Sequence, residues 1–88
     1  MNSEESLLQF PCEYPLKVIG RQADEFKQVI QEIVKRHVPD AGRTEYSSRL
    51  SRNDKYVSIT VSFTAQSKLQ LDALYQELND HELVLMTL

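Results

Sequence analysis

The sequence predicts an α+β domain with the element order strand–helix–strand–strand–helix–strand. Three observations carry this expectation. Apolar residues recur at helical spacing over 24–37 and again over 67–80. Residues 56–64 alternate apolar and polar side chains, the period of a strand with one buried face. Short apolar runs at 16–20 and 83–88 have strand length and strand composition.

Taken in order, residues 1–13 read as an N-terminal tail and 14–88 as a single domain. The tail is polar and acidic, then carries Leu7, Leu8 and Phe10 before Pro11, a cluster expected to dock, in the first place on its own domain. Leu16-Lys17-Val18-Ile19-Gly20 is the first strand, with Pro15 suited to a strand start or an edge. Asp24 to His37 is a helix: Phe26, Val29, Ile30, Ile33 and Val34 form one stripe, acids sit at its start, and Lys35, Arg36 and His37 sit at its end. Pro39-Asp40-Ala41-Gly42 stops it. Arg43 to Ser51 is a strand polar on both faces, which suits a sheet edge. Arg52-Asn53-Asp54 is a turn. Tyr56 to Thr64 buries Val57, Ile59, Val61 and Phe63. Ser67-Lys68-Leu69-Gln70 is a capping-box pattern opening a second helix with Leu71, Leu74, Tyr75 and Leu78 on one face. Leu83 to Leu88 is the last strand.

Two helices and four strands in this order point to a ferredoxin-like βαββαβ sandwich: a four-stranded antiparallel sheet with both helices on one face. The first and third strands then lie in the centre and the polar second strand at an edge. Val84, Met86 and Leu88 are expected to face the core beside Leu16, Val18 and the third-strand set. Ile19, Leu83 and Leu85 are expected to form an apolar corner on the open face, with Thr87 marking the outward set. Such a corner is usually covered, here by the Leu7–Phe10 tail or by a second subunit.

Composition bounds the function. At 88 residues there is room for one domain only, and hydrophobic residues at 41% exclude a disordered chain. A net charge of −3 argues against broad binding to nucleic acid or anionic membranes. One cysteine, Cys12, excludes a disulfide scaffold. The acidic start lacks the form of a signal peptide, and no apolar run reaches the ~20 residues of a membrane span. The expected compartment is the cytoplasm.

Individual constellations point away from chemistry. His37 and His81 are the only histidines, and nothing in the sequence supplies the three or four convergent ligands a metal needs, so no metal or cofactor site is expected. Cys12 has no basic run beside it to lower its pKa. With Gly20 and Gly42 the only glycines, phosphate-cradling loops are absent. An acylphosphatase-like site after the first strand is disfavoured by Asp24 and Glu25, which repel an anion. RNA binding is disfavoured because the open face of the third strand offers Ser58, Thr60 and Ser62 in place of aromatics. A basic cluster, Arg43, Arg49, Arg52 and Lys55, reads as a solvated edge.

Leu7-Leu8-Gln9-Phe10-Pro11, Leu16-Lys17-Val18-Ile19-Gly20, Val34 to Pro39, Val57-Ser58-Ile59-Thr60-Val61 and Leu74-Tyr75-Gln76-Glu77-Leu78 resemble the YbeD family of small bacterial proteins. The resemblance covers nearly the whole chain and implies a ferredoxin-like fold close to ACT domains, which are amino-acid-sensing modules. It implies no assigned activity. ACT domains commonly bind ligands at the junction of first strand and first helix, often across a dimer interface; here that junction is Gly20-Arg21-Gln22-Ala23. Two readings follow. One is a regulatory or adaptor module, not an enzyme, that binds a partner protein or pairs as a homodimer through Ile19, Leu83 and Leu85. The other is a small-ligand sensor using Gly20, Arg21, Gln22 and Ala23.

Overall fold

A computed structural model describes residues 9–39 and 43–88. They form β1 (Cys12–Arg21), α1 (Phe26–His37), β2 (Glu45–Leu50), β3 (Tyr56–Ala65), α2 (Lys68–Asp80) and β4 (Val84–Thr87). The strands make one sheet in the order β2-β3-β1-β4, and every neighbouring pair is antiparallel. The ferredoxin-like expectation therefore holds, with β1 and β3 central and the polar β2 at an edge. Asp40 to Gly42, the expected stop of the first helix, lie outside the described residues, as do Leu7 and Leu8.

The first strand is longer than its apolar run. It begins at Cys12, inside the stretch read as tail, and Cys12 to Arg21 pair in unbroken register with Ala65 to Tyr56. Pro15 thus sits in a central strand rather than at an edge. Lys17 exchanges both backbone hydrogen bonds with Leu88, 3.2 and 2.8 Å, so its polar groups face β4. Alternation puts the backbone nitrogen of Pro15 on that same side. The β4 ladder does not reach it, because its register runs over Val18 to Gly20 beyond that Lys17–Leu88 pair. The missing N–H therefore breaks no rung.

Both helices lie on the face of the sheet that β3 presents through Val57, Ile59, Val61, Phe63 and Ala65. Phe26, Ile30, Ile33 and Val34 of α1 and Leu71, Leu74 and Leu78 of α2 fill the layer between. The stripes are those of the sequence, because a period of 3.6 keeps these positions on one side. Helix α1 starts two residues later than its acids suggest: Asp24 and Glu25 form a turn, and the N–H of Phe26 meets the carbonyl of Ala23 at 3.1 Å. Ser67 caps α2 by accepting from the N–H of Gln70 at 3.1 Å, an interaction worth about 1 kcal/mol. Gln70 departs from the capping-box form. Its Oε1 accepts from the N–H of Gln66 at 2.7 Å, and its Nε2 donates to the carbonyl of His37 at 2.8 Å. One side chain thereby serves the start of α2 and the end of α1.

Gly20 has a packing reason. A Cβ there would lie 2.4 Å from both the carbonyl oxygen of Leu83 and Cε1 of Phe26. The glycine lets α1 and the β4 approach close over the end of β1.

The last strand corrects the sequence reading. Ile19 pairs with Met86 but Gly20 with Val84, so Leu85 is an extra residue, a β-bulge. A one-residue bulge exchanges the faces of everything beyond it. Val84 faces the core as expected, but Met86 and Leu88 do not: they are 51% and 62% exposed. Thr87 points instead to the helices, where its hydroxyl donates to Oδ1 of Asn79 at 3.2 Å. Leu83, expected on the open face, is partly buried against the core.

Candidate binding surfaces

The register fixes what the open face of the sheet presents. Residues of β1 that alternate with the buried Leu16, Val18 and Gly20 face outward: Glu13, Pro15, Lys17, Ile19 and Arg21. Across from them on β3 stand Thr64, Ser62, Thr60, Ser58 and Tyr56. On β2, Glu45, Ser47 and Arg49 sit opposite Ser62, Thr60 and Ser58. On β4, Met86 lies beside Ile19, and Leu88 beside Lys17. The face is therefore divided. Its β4 side is apolar, with Ile19, Met86 and Leu88 joined by the exposed bulge residue Leu85. Its β2 side is hydroxyl-rich and carries Lys17 and Arg49.

The expected corner survives in altered form. Ile19 and Leu85 belong to it; Leu83 leaves and Met86 and Leu88 join. Phe10 packs against the core near the Cys12 end of β1. That end is roughly 20 Å along the strand from Ile19, at about 3.3 Å per residue. Phe10 thus covers a different part of the domain.

The junction after β1 opens on a second surface. Gln22 and Ala23 line a cleft of about 300 Å³ whose floor is Phe26, Leu50, Val57 and Ile59 and whose rim includes Asp24, Lys27 and Ser48. The cleft exists because β2 is too polar and too short to cover α1: Ser48 and Leu50 are its core-side residues there. Arg21 and Gln22 line another cleft, of about 380 Å³, with Asp54, Lys55 and Tyr56. Gly20 offers no room on its core side, where Phe26 and Leu83 already stand. The turn facing this second cleft is fixed by Ser51, whose carbonyl accepts from the N–H of Asp54 at 3.0 Å and whose hydroxyl accepts from that of Tyr56 at 3.1 Å. Asp54 there adopts a positive φ of 58°.

Two polar groupings were not visible as such in the sequence. Arg36 and His37, read as a basic helix end, both reach Glu77 of α2; Nε of Arg36 donates at 2.9 Å and Nε2 of His37 meets Oε1 at 2.7 Å. The Arg36 guanidinium, and then His37, hold the Glu77 carboxyl below its usual range. Tyr14 and Tyr75 share a hydroxyl–hydroxyl bond of 2.9 Å beside Phe63, and Tyr75 also donates to the carbonyl of Leu88 at 3.2 Å. Burial first, then the bond to Tyr14, pushes the Tyr75 phenol up, so it stays neutral. Both groupings join elements distant in sequence and serve packing. His81 accepts at Nδ1 from the N–H of Leu83 at 3.1 Å, which closes the turn into β4. Among the described residues no three His, Cys, Asp or Glu converge as metal ligands, and no helix is long and apolar enough to cross a membrane.

Comparison with known proteins agrees with this architecture. A family model described as "Protein of unknown function (DUF493)" matches residues 5–88. The UPF0250 protein NE1487 of Nitrosomonas europaea is 44% identical over 86 residues, 98% of this chain and 99% of the relative. A UPF0250 protein of Chromobacterium violaceum is 38% identical over 87 residues, 99% of this chain and 98% of its own. The solution structure of HP0495 from Helicobacter pylori superposes with a TM-score of 0.71 at 19% identity, covering 99% of this chain and 91% of that one. The ACT domain of a GTP pyrophosphokinase from Chlorobium tepidum superposes with a TM-score of 0.62 at 12% identity, covering 88% and 83%. These two structures bear on the fold alone.

Proposed function

The chain belongs to the DUF493 family of proteins of unknown function, the UPF0250 or YbeD proteins, and from that premise we propose that it is a non-catalytic regulatory or adaptor module of the cytoplasm that binds a partner protein. One observation carries the reading: Leu85, Met86 and Leu88, each at least half exposed, stand beside Ile19 on the open sheet face. A contiguous apolar strip on a small domain is a common mark of a protein interface. It lies on an edge strand, so a partner can add backbone hydrogen bonds to side-chain contacts. Affinity purification of the wild-type chain and of Met86→Asp, Leu88→Asp tests it. Both positions are exposed, so the double variant folds. A protein retained by the wild type and lost by the variant supports the reading; recovery of the same proteins by both refutes it. Light scattering of the two chains separates a homodimer from a foreign partner.

A second reading, a sensor of small ligands, rests on the cleft at Gln22 and Ala23 and on the ACT-domain likeness. Its apolar floor and opposite charges, Asp24 and Lys27, suit an amino acid, whose ammonium and carboxylate need one partner each. Native-state binding raises thermal stability by mass action. A thermal-shift screen against the amino acids in which none stabilises the wild type more than Lys27→Ala removes this reading.

A further inference from the structure

We propose that the β2 side of the open sheet face is a binding site for a small phosphorylated ligand, held by Lys17, Arg49 and the hydroxyls of Ser47, Ser58 and Thr60. These five side chains line one cleft of about 360 Å³. Their convergence follows from register. Arg49 pairs with Ser58, Ser47 with Thr60, and Thr60 with Lys17, so the two hydroxyls of β3 lie between the two cations. Neighbouring strands are about 4.8 Å apart and successive outward residues about 6.8 Å apart. Lys17 and Arg49 are thus rooted roughly 12 Å from each other, a span that two long side chains close over an anion seated on Ser58 and Thr60.

The donors are uncommitted. Among the described residues none of the five side chains has a hydrogen-bond or ion-pair partner. Two other cations, by contrast, are already paired: Arg36 with Glu77 and Lys68 with Asp72. Of the acids on the same face, Glu13 is engaged by the hydroxyl of Thr64 at 2.9 Å. Glu45 stands one outward position beyond Ser47, on the far side from Arg49. Two cations near three hydroxyls make a local positive spot on a chain of net charge −3. Guanidinium and hydroxyl donors match the several acceptor oxygens of a phosphate group. A lone carboxylate, with two oxygens, leaves donors unused. The site adjoins the apolar strip, with Ser58 opposite Ile19 and Lys17 beside Leu88, but shares no residue with it.

Amide-resolved NMR titration tests the site, with pyrophosphate as the probe, sodium chloride of matched ionic strength as the control, and a single-stranded oligonucleotide as a second arm. The expected result is saturable shifts confined to Lys17, Ser47, Arg49, Ser58, Thr60 and their neighbours. Lys17→Gln with Arg49→Gln weakens binding at least about tenfold, because each lost charge-assisted bond removes a substantial part of the affinity. Arg52→Gln with Lys55→Gln, in the adjacent turn, leaves it unchanged. The spectra report directly that each variant is folded. Shifts that fail to saturate, that spread over all basic residues, or that chloride reproduces overturn the proposal. So does an oligonucleotide that binds the same residues more tightly than pyrophosphate, with a steep salt dependence.

Discussion

Replacing Gly20 with alanine puts a methyl group 2.4 Å from the Leu83 carbonyl oxygen and 2.4 Å from Cε1 of Phe26. Ordinary carbon contacts are near 3.5–4.0 Å, so each neighbour must retreat by about an ångström. Neither retreats easily. The Leu83 oxygen is backbone at the entry to β4, and the Phe26 ring is buried under α1. Overpacking of this kind costs about 1–3 kcal/mol. Alanine returns about 0.4–1 kcal/mol by restricting the unfolded chain. The net loss centres on about 1 kcal/mol, or roughly 4–8 °C in Tm for a domain of this size. Urea unfolding followed by circular dichroism measures it, with an unchanged slope confirming that only stability moved. Phe26→Leu in the Gly20→Ala background recovers part of the loss relative to additivity, since one of the two contacts is relieved. A Gly20→Ala chain as stable as the wild type would falsify the close packing of β1 against α1 and β4.

Other substitutions test the remaining features. Val84→Ala, in the core, lowers stability by about 1–2 kcal/mol, whereas Met86→Ala stays within about 0.5 kcal/mol; the reverse ranking in denaturation would restore the unbulged β4. Tyr75→Phe loses the bonds to Tyr14 and Leu88 and costs about 0.5–1.5 kcal/mol, and adding Tyr14→Phe costs less than its own single-variant value. Glu77 has a lowered pKa in the folded chain, so its ionised form stabilises above the unfolded value of 4.5 and that contribution fades as pH falls through the folded value. Glu77→Gln is therefore slightly less stable than wild type at pH 7, by an amount that shrinks with salt and fades as pH falls through the lowered folded value; a difference that salt and acid both leave unchanged would assign the loss to something other than charge.

Most of the fold was legible because its periods are clean. Tyr56 to Ala65 alternate without a break, and the α1 stripe from Phe26 to Val34 is unambiguous. The polar β2 announced its place at an edge. Failures came where one residue alters a local rule. Every position from Leu83 to Met86 is apolar, so no alternation marks Leu85 as the bulge. With the bulge hidden, the pattern puts Met86 and Leu88 inside and Leu83 outside, and the apolar strip falls one step away from its place. Pro15 misleads in a similar way, since its fitness for a central strand depends on where β4 stops. The reach of Arg36 and His37 to Glu77, and of Gln70 to the His37 carbonyl, joins residues 33 to 41 positions apart, beyond any local pattern. Gly20 was visible as a singular residue. The occupants of the space above it, Phe26 and Leu83, were visible only once the helix was seated.

The proposed role turns on whether the strip at β4 meets another protein. A photo-crosslinking residue placed at Met86, and for comparison at Asp72 on the exposed face of α2, reads that contact directly in cells that express the chain. The account predicts a discrete adduct of higher mass from position 86 that is absent from position 72. No adduct from position 86, or the same adducts from both, would contradict it.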